Sequence, residues 1–378
     1  MSLDPNIGDV ADLGQQVLVL QGGGALGAYQ VGVYQALDQA GVELDWVVGT
    51  SIGAINAAII AGSPRSERMP RLAEFWKRIA RGHLFETPGT PAIPAAVRNW
   101  WAVSAGIPGF FEPNGRALLS PFAFLPCEEA GYYSVEPLKA TLADLLDFEL
   151  LAKARTRLTV GASDVTTGEM TYFDSRDTRL DIRHVLASGA LPPAFPPVRI
   201  DDGLYWDGGI LSNTPVEVVF DDRPRRDSMI YAVHLWNPEG REPRSMQDVL
   251  NRKKDVQYAS RSAVHIARQR QLHQLRHVIT RLADLIPEPL NQDAEVRALA
   301  DYGCRTRMHV VRLLAPRLDD EDQNKDLDFS PSGIRRRWEA GYAHTMRVLE
   351  TAPWRGESDP LEGFVLHEAV GGEPAQVM

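Results

Sequence analysis

Between Gln16 and Gly62 the chain alternates short apolar runs with helix-like stretches, joined by turns of glycine and other small residues. The run Val17 to Leu20 ends in three glycines, and Gly27 then opens a stretch with Val33, Leu37 and Ala40 on one helical face and Gly41 as its stop. A second apolar run, "WVVG" (46–49), meets the tight sequence "TSIG" and passes into the small-residue helix "SIGAINAAIIAG", closed by Gly62. Strands and helices alternating at this spacing predict an α/β fold with a mainly parallel central sheet covered on both faces.

The glycine stretch admits two chemistries. Gly22, Gly24 and Gly27 satisfy the G-x-G-x-x-G pattern of a dinucleotide-binding turn. That fold wants an acidic residue at the end of the second strand to hold the ribose. Asp45 precedes "WVVG" rather than following it, and Gly49-Thr50-Ser51-Ile52-Gly53 stands at the far end instead. "GTSIG" is a G-x-S-x-G nucleophile elbow in the position that motif needs, between a strand and a helix. Gly49 and Gly53 let the two elements approach, and Ser51 is held out at a helix N-terminus, where the dipole favours negative charge. Beside it, Gly22, Gly23 and Gly24 would offer backbone N–H groups to the oxyanion formed when Ser51 attacks an ester.

The serine needs a base. His184, His234, His344 and His367 are the histidines to weigh: His184 reads as a structural helix residue and His234 as core, whereas His344 and His367 fall late enough for a Ser, acid, His order. The alternative is Asp207 in "YWDGGILSNTP", on a glycine turn beside Tyr205 and Trp206, where desolvation would raise its pKa from about 3.9 and make it a better base.

Composition narrows the partners. Among 378 residues, 44% are hydrophobic and 24% charged, as in ordinary globular proteins, and the net charge of −10 argues against a general nucleic-acid binder. Two cysteines, Cys127 and Cys304, make no disulfide framework, so a cytoplasmic setting is the simplest. The opening "MSLDPNIGDVADLGQQ" lacks the basic n-region of a secretory signal, and the longest apolar run is far short of the ~20 residues that span a bilayer. Nothing in the sequence assigns an oligomeric state.

Residues 84–133 change character, interleaving seven prolines with Phe85, Trp100, Trp101, Phe110, Phe111, Phe122, Phe124, Tyr132 and Tyr133. Two readings stand: a packed surface insertion, or a lid over an acyl pocket. The α/β pattern resumes with strands at 157–165, 170–175 and 229–236. Arg244 to Leu285 reads as a long helix, with Leu272, Leu275, Ile279, Leu282 and Ile286 as its buried stripe. Nine Arg or Lys against three Asp make that span basic (9 − 3 = +6), either as a solvated face or for peripheral contact with anionic lipid headgroups. A last strand at 307–314 and a last helix within 334–350 follow. The organisation expected is a loose N-terminus (1–14), a catalytic domain (15–239) carrying the 84–133 insertion, a mainly helical extension packed on it (240–360), and a mobile tail (361–378).

Four motifs, "QGGGALGAYQVGV", "GTSIGAINAA", "ASGALPPAFPPV" and "DGGI..NTPV", occur in the order and spacing of the patatin-like phospholipases, and the chain resembles that family over roughly residues 16–235. It is most similar to the bacterial branch with a long C-terminal extension. The resemblance implies a three-layer α/β/α fold, a Ser-Asp dyad without histidine, and lipid acyl hydrolysis with no metal or other cofactor. By motif, Ser51 is the nucleophile, Asp207 the base, and Gly22, Gly23 and Gly24 the oxyanion loop, assisted by the Ile52 amide. The substrate would be a lipid or other acyl ester, with a soluble-ester carboxylesterase or thioesterase, or a catalytically silent lipid-binding scaffold, as alternatives. One departure stands out: many members carry Arg or Lys in the loop as G-G-G-x-R-G, and this chain has Leu26 there.

Overall fold

The computed structural model describes residues 13–80, 104–318 save 121 and 123, 324–356 and 362–368, with the side chains of 260–263 left out. In its first half, β1 (Gln15–Leu20) leads through the single turn Gly24–Gly27 into α1 (Ala28–Gln39), and β2 (Trp46–Thr50) leads into α2 (Ile52–Ala61), followed by α3 (Arg65–Arg78). A small excursion holds β3 (Glu112–Pro113), α4 (Gly115–Leu119) and β4 (Tyr133–Ser134), and α5 (Glu136–Leu145) follows it. Two hairpins come next: β5 (Arg157–Asp164) with β6 (Met170–Asp174), then, after α6 (Ile182–Ser188), β7 (Val198–Ile200) with β8 (Gly203–Asp207). The second half adds β9 (Ser228–His234), α7 (Met246–Asp284), β10 (Met308–Leu314), α8 (Pro331–Thr351) and β11 (Phe364–Glu368).

The central sheet runs β11-β10-β9-β1-β2-β5-β8-β7, with β6 also paired to β5. All neighbours from β11 to β5 are parallel, and the hairpin strands at the other end are antiparallel. The sheet is therefore mixed and mainly parallel, as the alternation predicts. Buried on both faces, β1 reads as an unbroken apolar run. Its Leu18 and Leu20 pack under α1 and α2, while Val17 and Val19 face a second core with Phe220 and Ile266. Every residue of α2 is buried, which is why that helix is apolar on all sides.

Three expectations need correction. The tail is not loose throughout: residues 364–368 form β11 and pair in parallel with β10. The segment after 239 is mainly helical and carries the expected strand of 307–314 as β10, but it adds a second, unexpected strand, β11, to the central sheet. And the apolar stripe of α7 is not its buried face. Leu272, Leu275 and Leu282 are exposed, whereas Ile266, Gln269 and His273 are buried. The reason is the surface on which α7 rests: the Thr306 carbonyl accepts from both His273 and His277 at 2.8 Å, so polar side chains must face inward. Part of its basic charge likewise answers acids of the body, in Lys254–Asp326, Arg270–Glu362 and Arg276–Asp221. Residues 1–12 of the expected loose N-terminus and 369–378 of the expected tail lie outside the described residues, as do Phe85, Trp100 and Trp101.

Candidate active site

Ser51 sits between β2 and α2 with φ 57° and ψ −126°, a conformation that non-glycine residues seldom adopt. The turn closes this sharply because its flanks are bare. A Cβ on Gly49 would lie 2.3 Å from the Gly53 carbonyl oxygen. The strained residue is tied down from one side: its N–H donates to both the carbonyl oxygen (3.1 Å) and the hydroxyl (3.0 Å) of Ser188, at the end of α6. The Ser188 hydroxyl in turn donates to the Gly161 carbonyl on β5 at 2.6 Å. Strain at a functional residue persists only where its surroundings over-determine it.

Asp207 closes β8 in register with Ala162 of β5 and is 2% exposed. Its Oδ1 accepts the Gly209 N–H at 2.6 Å, and Ser51 lines the same cleft as the carboxyl group. Burial pushes this carboxyl up to about 6, with Ser51 and the Gly209 hydrogen bond pulling the other way. A carboxyl group pushed up to about 6 and sharing a cleft with a serine is suited to act as a base toward that hydroxyl.

Both residues open into one cleft of about 230 Å³. Its walls are aromatic and aliphatic: Phe110, Phe111 and Tyr133 from the 84–133 region, Phe195 after α6, and Tyr258 and Phe329 from the C-terminal half. Phe111 meets Tyr133 and Phe195 edge-on at centroid distances of 4.8 and 5.5 Å. The two readings of the aromatic insertion thus divide between residues. Phe110, Phe111 and Tyr133 wall the cleft, whereas Phe122 and Phe124 project into solvent.

The glycine loop borders the cleft at Gly22, Gly23 and Gly24. Gly24 has φ +55°, and a Cβ there would lie 2.3 Å from the Asp326 carbonyl oxygen, so only glycine fits. The three amides are not equivalent. The Gly22 N–H donates to the Asn213 carbonyl at 3.2 Å, while among the described residues Gly23 and Gly24 have no acceptor for theirs. Asn213 also donates from Nδ2 to the Gly22 carbonyl (3.1 Å), to which Trp236 Nε1 donates as well (2.9 Å). Ile52, first in α2, has an amide without an intrahelical acceptor. Leu26 points into the main core at 4% exposure, away from the cleft, so the position that many family members fill with a cation is apolar packing here.

Ser188, Asn213 and Trp236 were not singled out from sequence. Ser188 and Asn213 fall inside "ASGALPPAFPPV" and "DGGI..NTPV", but short polar residues in motifs carry no label for the backbone group they will hold. The four histidines weighed from the sequence are all elsewhere. His184 completes a capping box with Asp181, His344 Nδ1 meets the Tyr29 hydroxyl at 2.6 Å, and His367 Nε2 meets His309 Nδ1 at 3.0 Å. His234 is buried, and desolvation lowers it to about 3. None of the described cleft residues is a histidine. A wider groove of about 630 Å³ between α1, α3 and α8 has no serine, threonine or cysteine among its described lining residues. Among the described residues no group of three His, Cys, Asp or Glu is placed to hold a metal, and no helix is long and apolar enough to cross a membrane.

Sheet, elbow and cleft together define an α/β protein with a strained, cleft-lining serine at the carboxyl end of a central strand. The chain belongs to the patatin-like phospholipase family, whose model matches residues 18–220, and a second model described as patatin phospholipase matches residues 256–361. An uncharacterised NTE family protein of Mycobacterium tuberculosis is 30% identical over 54% of this chain and 28% of its own length. A lysophospholipase, NTE1, of the yeast Meyerozyma guilliermondii is 27% identical over 62% of this chain and 13% of its own. The chain thus spans less than a third of either relative. Among solved structures, VipD of Legionella pneumophila aligns over 89% of this chain and 67% of its own, at 19% identity and a TM-score of 0.38.

Proposed function

We propose that the protein is a serine acyl hydrolase that cleaves the carboxyl esters of lipids through Ser51 and Asp207. The observation that carries this reading is the placing of Ser51 and the buried Asp207 carboxyl group together at the head of one apolar cleft. The Ser51 Oγ attacks the ester carbonyl carbon while its proton passes to Asp207. The negative charge that develops on the carbonyl oxygen is met by the N–H groups of Gly23 and Gly24 and by Ile52 at the start of α2. Gly22, its amide held by Asn213, shapes the loop rather than donating. Collapse expels the alcohol, which takes the proton from Asp207 and leaves an acyl-serine. Water then yields its proton to Asp207, attacks the acyl-serine and releases the fatty acid, returning the proton to Ser51. No cofactor enters the scheme.

Aromatic walls suit an acyl chain, and the name of the yeast relative supports a phospholipid or lysophospholipid as its source. The test compares wild type with Ser51→Ala and Asp207→Asn on p-nitrophenyl esters of increasing chain length, with and without phospholipid vesicles. Both variants should lose activity by roughly 10³ or more, and wild type should prefer long chains. Strong short-chain activity without gain from vesicles would make the protein a soluble carboxylesterase or thioesterase. Vesicle binding with equal activity in wild type and Ser51→Ala would leave a lipid-binding scaffold.

A further inference from the structure

The excursion that carries α4 is anchored at its base and bare at its tip. At the base, Asn114 holds the two ends together: its N–H donates to the Tyr132 carbonyl (2.8 Å), and its Nδ2 donates to the carbonyls of Glu129 (2.9 Å) and Gly131 (3.0 Å). The returning strand is pinned to the body, Tyr132 and Tyr133 N–H donating to the carbonyls of Pro193 (3.1 Å) and Ala194 (2.8 Å). At the tip, four large apolar side chains stand in solvent: Leu118 at 53% exposure, Leu119 at 88%, Phe122 at 92% and Phe124 at 103%. Single exposed apolar residues are ordinary on a soluble protein, but a clustered set of this size marks an interaction surface.

Two further observations say what covers it. The surface is charge-balanced, because its ions answer one another: Arg116 pairs with Glu129 at 2.9 Å and Arg199 with Glu128 at 2.7 Å. And it is continuous with the cleft. An open trough runs from Phe122 and Phe124 to Tyr132 and Pro193, while the adjoining residues Tyr133, Ala194 and Phe195 face the cleft itself. The same short segment presents apolar surface to solvent on one side and to the candidate acyl site on the other.

We propose that Leu118, Leu119, Phe122 and Phe124 form a docking surface for the hydrocarbon layer of a lipid aggregate, Leu119, Phe122 and Phe124 inserting among acyl chains and bringing the cleft mouth to the lipid. An apolar, charge-balanced tip fits hydrocarbon rather than anionic headgroups, so docking is insensitive to salt and needs no acidic lipid. The docking stands on the tip alone; its consequence, delivery of substrate to Ser51, rests on the function proposed above.

The test uses the full chain with phosphatidylcholine vesicles, read by flotation at about 0.1 and about 0.5 M salt. A double variant, Phe122→Ser with Phe124→Ser, removes two exposed side chains and no internal contact. Hydrolysis of p-nitrophenyl butyrate reports the cleft independently of vesicles. Wild type should float at both salt concentrations, and the double variant should lose partition by roughly tenfold or more at unchanged butyrate turnover. The proposal is overturned if wild type stays in solution, if the variant floats equally, or if binding collapses with salt. It is also overturned if wild type sediments as a dimer and the variant as a monomer, which would make the tip a contact between copies. Flotation that depends on the two phenylalanines in a protein without butyrate turnover would keep the docking surface and remove the hydrolase reading.

Discussion

Burial sets the Asp207 carboxyl at about 6, and that value has opposite consequences for activity and stability. As a base it must be ionised, so the acid limb of kcat/KM should fall with decreasing pH through about 6; an acid limb near 4 would mean that the base is unburied or is another group. For stability, the folded value lies above the ~3.9 of an unfolded Asp. The protonated form suits the fold below about pH 4, and that contribution is lost as pH rises through 6, where the buried charge must be carried. Asp207→Asn should therefore kill turnover yet stabilise the protein by roughly 2–3 kcal/mol at pH 8 and far less at pH 4. Thermal melts of both proteins across that range check this, and a pH-independent difference would refute it. The D-G-G turn and the flanking aromatics made this residue legible in sequence. Its pairing with Ser51 was legible only through the family resemblance, because only the fold brings residue 51 to residue 207.

Strands and their turns were legible for a simple reason: a parallel strand buried on both faces must be an apolar run, and the elbow must be small on either side. What holds the elements against one another was not. Ser188 grips the strained Ser51 backbone from α6, so Ser188→Ala should lower kcat by roughly tenfold with KM little changed, as befits a positioning residue, while Ser188→Thr keeps the hydroxyl and restores part of the rate. Equal kcat in Ser188→Ala would show that the Ser188 carbonyl suffices. On β5, Arg157 bonds Asp174 of β6 (2.7 Å) and Asp222 (2.9 Å) and lies 3.7 Å over the Trp46 ring of β2. Arg157→Met leaves the largely buried Asp174 without a cation and Asp222 with Arg176 alone, and should cost roughly 3 kcal/mol in denaturant unfolding; a loss under about 1 kcal/mol would mean that water and Arg176 replace the guanidinium. α7 misled because its apolar period is real but its seat is polar. A hydrophobic stripe reports what a helix is able to bury, whereas the Thr306 carbonyl decided which side of α7 was buried.

Across the whole molecule, the segment after residue 239 completes the sheet and the cleft rather than standing as an appendage. β10 covers the edge of β9, whose seven residues are all buried, and β11 covers β10 in turn. α8 lies on α1, where Trp338 Nε1 donates to Gln35 (2.6 Å) and the Tyr29 hydroxyl meets His344. Tyr258, Leu327 and Phe329 wall the cleft, and the Asp326 carbonyl packs against Gly24. Residues 1–239 expressed alone would expose β9 as a flat apolar edge, a template for aggregation, together with the uncovered face of α1. They would also open one side of the cleft and release the constraint on the glycine loop. The truncated chain should therefore be insoluble or, if kept in solution, inactive on p-nitrophenyl butyrate, and co-expression of residues 240–378 should recover soluble protein. A soluble, monomeric 1–239 fragment with wild-type ester turnover would show instead that the catalytic half closes its own sheet edge, and that the strands and cleft wall supplied from beyond residue 239 are dispensable.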